Sequence, residues 1–93
     1  MTAVLFTCAG QRVDIVSAFK AADAFAVATD ANPLAPALYH AHVHAVAPRV
    51  DDPGYIAALA QIVRAHDVKL VVPLTDLDGH LLRRGEAELG ATV

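Results

Sequence analysis

The sequence lacks several features that define special classes of protein. Its 93 residues include one cysteine, Cys8, which excludes a disulfide within the chain and fits a reducing compartment. Tryptophan is absent and aromatic residues make up only 5%. Basic residues stand singly apart from Arg83-Arg84, which argues against a nucleic-acid partner. No apolar run approaches the ~20 residues of a membrane span, so we expect a cytoplasmic protein without a membrane partner.

The sequence does contain short apolar runs that alternate with amphipathic segments. The runs show little polar alternation, which is typical of strands buried on both faces of a parallel sheet. They cover residues 3–6, 25–29, 42–47 and 70–72, and residues 91–93 resemble the opening of a fifth strand.

Three helices are predicted between and after these strands. The first covers residues 12–22, and a short helical turn is expected at 37–39. Asp52 as N-cap and Pro53 at the first helical position predict a second helix that runs to about residue 66. Thr75 or Asp76 starts a third helix that continues past residue 82, and Gly90 occupies the position of a C-terminal glycine.

This order predicts one domain over residues 1–93, a three-layer Rossmann-like α/β fold with a parallel sheet of four to five strands. Strand one lies centrally, strands two and three lie to one side of it, and strand four lies to the other. The topological switch point therefore falls between strands one and four, where ligands of open α/β sheets bind.

Three loops meet at that edge and supply the candidate substrate-binding residues Gly10, Arg12, Asp30, Thr75 and Asp76. Gly10 permits a turn before a helix N-terminus and Arg12 adds a charge, a combination that favours an anion. Asp30 is suited to accept hydrogen bonds from hydroxyl groups. Asp76 and Asp78 are suited to hold an amine or a metal-bound water. Purely structural roles remain open: a turn for Gly10, a solvated side chain for Arg12 and a helix cap for Asp76.

Other sites receive less support. A dinucleotide fingerprint needs three spaced glycines and the first loop supplies one, Gly10. Cys8 lies near a helix N-terminus, yet packing explains it better than reactivity. His40, His42 and His44 share a face if they lie on a strand, and solvent-facing edge histidines explain them as well as a metal does. We assign no catalytic residue, metal ligand or cofactor within this chain.

The same loops resemble a known family in four segments, TCAGQRVDIV at 7–16, ATDANPLAPALY at 28–39, PRVDDPGYI at 48–56 and VVPLTD at 71–76. Together they resemble the N-terminal, pre-ATP-grasp domain of ATP-grasp enzymes similar to the large subunit of carbamoyl-phosphate synthase. The family loop usually reads SAGRR, so Cys8 stands for a serine and Gln11 for an arginine. The lysines and acidic metal ligands of the ATP-grasp core have no counterpart in this chain.

The resemblance implies the substrate-side scaffold of an ATP-dependent ligase, which in full-length relatives uses Mg-ATP to join a carboxylate to an amine. We expect a domain fragment or a split subunit that is inactive alone, self-associates, and has an ATP-grasp core and a small carboxylate or amine substrate as partners. A free-standing Rossmann-like module that binds a small ligand or nucleotide is the alternative.

Overall fold

The computed structural model describes residues 2–93 and contains a four-stranded, all-parallel sheet with the strand order β3-β2-β1-β4. The strands are β1 (Ala3–Thr7), β2 (Phe25–Asp30), β3 (Val43–Val46) and β4 (Val68–Pro73). The predicted order is therefore confirmed, and the switch point lies between β1 and β4.

Helices cover both faces of the sheet, as the three-layer prediction required. They are α1 (Val13–Ala21), α2 (Tyr55–His66), α3 (Asp76–Arg84) and α4 (Glu86–Leu89), with a short 3-10 helix at Pro36–His40. Successive side chains of β1 point to opposite faces. Phe6 joins the core under α1 and the 3-10 helix, whereas Leu5 joins the core under α2, α3 and α4.

Helix α2 begins later than the sequence suggested. Asp52 is not its N-cap, because Oδ1 of Asp52 accepts the Gly54 N–H at 2.7 Å in a turn that precedes the helix. Gly54 occupies the N-cap position, and Tyr55 is the first helical residue. The Asp-Pro-Gly segment thus forms a turn rather than the first turn of the helix.

The predicted third helix is two helices that meet at Gly85. A β-carbon at Gly85 would lie 2.5 Å from Cδ1 of Ile56, so the glycine allows the α3–α4 junction to pack closely against α2. The break turns α4 so that Leu89 is buried in the same core as Leu82.

Gly90 ends the last helix, as the sequence predicts. Gly90 adopts φ +84°, the left-handed conformation that glycine permits at a helix C-terminus. Thr92 then forms a single parallel bridge with Leu70 of β4, at the place where the sequence predicted the opening of a fifth strand, and the sheet itself has four strands. None of the helices in residues 2–93 combines the length and the apolar character that crossing a membrane requires.

Candidate functional site

Two clefts open at the carboxyl edge of the sheet. The switch-point cleft has a volume of about 290 Å³ and is lined by Pro73, Leu74, Gly79 and five polar or charged side chains, Arg12, Thr75, Asp76, His80 and Arg83. The β2–β3 cleft has a volume of about 360 Å³ and a mostly apolar surface. Its lining includes Cys8, Thr29, Pro48, Tyr55 and Leu77 and the charged residues Asp30, Arg49 and Asp51.

Arg12, Thr75 and Asp76 come together at the switch-point cleft, as the topology predicts. Thr75 has an extended backbone and caps α3, because its hydroxyl accepts the Asp78 N–H at 3.3 Å. The side chain of Asp76 is exposed at the start of the helix. The cleft therefore presents a guanidinium and a carboxylate on opposite loops.

Arg12 is half-exposed and pairs with Asp14, whose Oδ1 lies 3.2 Å from Nε of the arginine. Hydrogen bonding to this guanidinium lowers the pKa of the Asp14 carboxyl. The pair lies at the start of α1, where it stays open to solvent. An exposed pair of this kind is weak, so Arg12 can exchange Asp14 for a ligand at little cost.

Gly10 and Asp30 form a separate arrangement. Gly10 has φ +52°, and its N–H donates to Oδ2 of Asp30 at 2.8 Å. The other oxygen of Asp30 accepts the Asn32 N–H, also at 2.8 Å. The Asp30 carboxylate thus joins the loops after β1 and β2, and it lines the β2–β3 cleft rather than the cleft that contains Arg12.

A chain of buried polar groups lies beneath the β2–β3 cleft. Asp78 is fully buried, and its two oxygens accept hydrogen bonds from the hydroxyls of Thr7 and of Tyr55, the latter at 2.7 Å. The Tyr55 hydroxyl also lies 3.6 Å from Sγ of Cys8. We call Thr7, Cys8, Tyr55 and Asp78 the Asp78 network.

The Asp78 network holds its phenol and thiol in their neutral forms. Burial raises the pKa of Tyr55, and the hydrogen bond that it donates to Asp78 adds to the effect. Burial also raises the pKa of Cys8, partly offset by the hydrogen bond with Tyr55. Because a thiolate is the reactive form, this environment disfavours a nucleophilic Cys8.

Sequence reasoning did not find the Asp78 network. The T-x-x-D spacing of Thr75 and Asp78 signals a capping box, in which the acidic side chain returns to the N-cap. Only half of that box forms, since the Asp78 carboxylate turns instead to β1 and α2. Its partners lie 71 and 23 residues away in sequence, so no local spacing indicates them.

Two of the three histidines of the β3 region, His42 and His44, make structural side-chain contacts. Nδ1 of His42 accepts the Ala26 N–H at 2.9 Å, and the ring stacks on Phe25 at a centroid distance of 5.0 Å. His44 packs against Tyr39 at 4.9 Å. In the part of the chain that the structure describes, no three His, Cys, Asp or Glu side chains are grouped to hold a metal ion.

An open parallel sheet with helices on both faces and a polar cleft at its switch point defines a Rossmann-like α/β domain. Residues 4–92 match the family model described as PylC-like, N-terminal domain. The chain belongs to this family of pre-ATP-grasp domains, which corresponds to the N-terminal part of an ATP-grasp-type ligase. No curated protein matches the sequence.

Proposed function

We propose that this chain is the substrate-side scaffold domain of an ATP-grasp ligase that joins a carboxylate to an amine. The family match over residues 4–92 supports the class of enzyme. The observation that carries the substrate-side role is the switch-point cleft, where Arg12, Thr75 and Asp76 come from the loops after β1 and β4. A similarity to the large subunit of carbamoyl-phosphate synthase rests on the sequence motifs alone.

The residues of the cleft have distinct chemical roles in this proposal. The Arg12 guanidinium donates hydrogen bonds suited to a carboxylate, and the Asp76 carboxylate accepts them from an ammonium group. The Thr75 hydroxyl is engaged at the start of α3 and fixes the position of Asp76. An ATP-grasp core with Mg-ATP would supply the phosphoryl group, and this chain would orient the substrate.

The partner that we propose is the ATP-grasp core, in the same polypeptide or in a separate subunit in the cytoplasm. Support comes from exposed large apolar side chains, Leu34, Tyr39, Val46 and Leu77, which are 56–79% exposed. Self-association is also expected at such surfaces. Light scattering of the chain at high concentration tests this expectation, and a strict monomer would contradict it.

The ligase role is tested by mixing the chain with the ATP-grasp core of its source and measuring ADP formation that needs both carboxylate and amine. We expect Arg12→Gln to raise the KM for one substrate severalfold with little change in kcat. Arg64→Gln is the matched control, because Arg64 lies in the last turn of α2, away from both clefts. Equal kinetics for the two variants would contradict the role of Arg12.

A second candidate function is a free-standing module that binds a small ligand. The β2–β3 cleft favours it, since about 360 Å³ of largely apolar space falls within the range of small-molecule sites. The two candidates differ in their dependence on the core. A free-standing module binds its ligand without the core, whereas the scaffold domain contributes to a reaction only beside it.

A further inference from the structure

We propose that the switch-point cleft binds an oxyanion, a carboxylate or a phosphate group, through Arg83 together with Arg12. Arg83 was not among the residues that the sequence singled out. The residues of the cleft alone support oxyanion binding. The identification of this anion as the ligase substrate rests on the proposed function.

The first observation is the position of Arg83. It belongs to the last turn of α3, yet its side chain lines the cleft at the beginning of that helix. Side chains on a helix point back toward its N-terminus, and residues four apart share a face. Arg83 therefore lies over Gly79, one turn earlier, and reaches toward Pro73.

Gly79 marks where the Arg83 guanidinium lies against the helix. A β-carbon built at Gly79 would lie 3.4 Å from Nη1 of Arg83 and 3.4 Å from Cγ of Pro73. Gly79 is buried and has no positive φ, so the backbone does not require a glycine here. The guanidinium of Arg83 therefore lies within van der Waals reach of the helix at Gly79.

The second observation is the charge around this guanidinium. Ion pairs among residues 2–93 involve Arg12, Arg49 and Lys69, and none involves Arg83. The cleft lining holds two guanidinium groups and one carboxylate, Asp76, and the second carboxylate near it, Asp14, is paired with Arg12. The imidazole of His80 adds a further hydrogen-bonding group. A planar guanidinium without a carboxylate partner is suited to bidentate binding of an oxyanion.

The experiment is a titration of the chain with potassium phosphate and, separately, with potassium acetate, followed by amide NMR at constant ionic strength. We expect saturable shifts at the amides of residues 74–79 and 12, with a dissociation constant on the order of millimolar for so exposed a site. Saturation by phosphate alone or by acetate alone supports the site and identifies the oxyanion that it prefers.

Two variants test the assignment to Arg83. Arg83→Gln is expected to weaken binding about fivefold or more, whereas Arg84→Gln, at the next position and outside the cleft, leaves it unchanged.

Absence of saturable shifts with both anions would overturn the proposal, as would equal affinities for the Arg83→Gln and Arg84→Gln variants. These results do not depend on ligase activity. A chain that binds an oxyanion but contributes nothing to the core reaction would instead contradict the proposed function and leave this site standing.

Discussion

The two clefts share one edge of the sheet but use their polar groups differently. Beneath the β2–β3 cleft, Asp78 is fully buried and both of its oxygens accept hydrogen bonds from side chains of the chain itself. At the switch-point cleft, Asp76 is exposed and Arg83 has no ion-pair partner among residues 2–93. The comparison indicates that the first set of groups stabilises the fold and that the second is free for a ligand.

The largest effect is expected from Asp78→Ala. This change leaves the hydroxyls of Thr7 and Tyr55 without their acceptor in a buried site, and each buried donor left unsatisfied costs about 1–3 kcal/mol. Urea denaturation measures the free energy of unfolding. The control is Asp76→Ala, two positions earlier but exposed, which is expected to cost less than about 1 kcal/mol. Similar decreases in the free energy of unfolding for Asp78→Ala and Asp76→Ala would contradict the assignment of a structural role to Asp78 and a ligand-binding role to Asp76.

A smaller effect is expected at alkaline pH. The pKa of Tyr55 in the folded chain is raised above its ordinary value of 10.0. The stabilisation linked to its protonated form is therefore complete below pH 10 and is lost as the pH rises through the folded-state pKa. In that range the free energy of unfolding falls by up to about 1.4 kcal/mol per pH unit for one such group.

Denaturation between pH 8 and pH 11 tests this linkage, with Tyr55→Phe as the comparison. The variant is less stable at neutral pH because it loses the hydrogen bond to Asp78, but its free energy of unfolding falls less steeply above pH 10. A decline of the same slope in both proteins would show that Tyr55 is not the responsible group.

The smallest effect is expected from Arg12→Gln. The Arg12–Asp14 pair is exposed, so its loss is expected to change the free energy of unfolding by less than about 0.5 kcal/mol. Urea denaturation of the chain with and without Arg12→Gln measures this difference in the free energy of unfolding. A loss above 1.5 kcal/mol would mean that Arg12 supports the fold, contrary to the assignment of its cleft to ligand binding.

Much of the fold was predictable because it depends on local patterns. Continuous apolar runs indicated buried parallel strands, and Thr75 and Gly90 marked a helix start and a helix end that the structure confirms. The break at Gly85 was missed, since it depends on the approach of Ile56 from another helix.

The candidate site was predictable only in part. The switch-point rule placed Arg12, Thr75 and Asp76 together because it depends on strand order. It did not separate Asp30 from them, and it gave no sign that the Asp78 carboxylate turns toward Thr7 and Tyr55. Those contacts join residues far apart in sequence, and only the packed structure brings them together.

The scaffold role is tested most directly by an isothermal titration of the 93-residue chain with Mg-ATP. One cleft holds two guanidinium groups beside a carboxylate, and the other is largely apolar with one guanidinium, Arg49, beside the carboxylates of Asp30 and Asp51. Micromolar affinity requires about 8 kcal/mol, which such exposed groups do not supply to a triphosphate. We expect no binding at micromolar concentrations. A micromolar dissociation constant would contradict the scaffold role and identify the chain as a nucleotide-binding module.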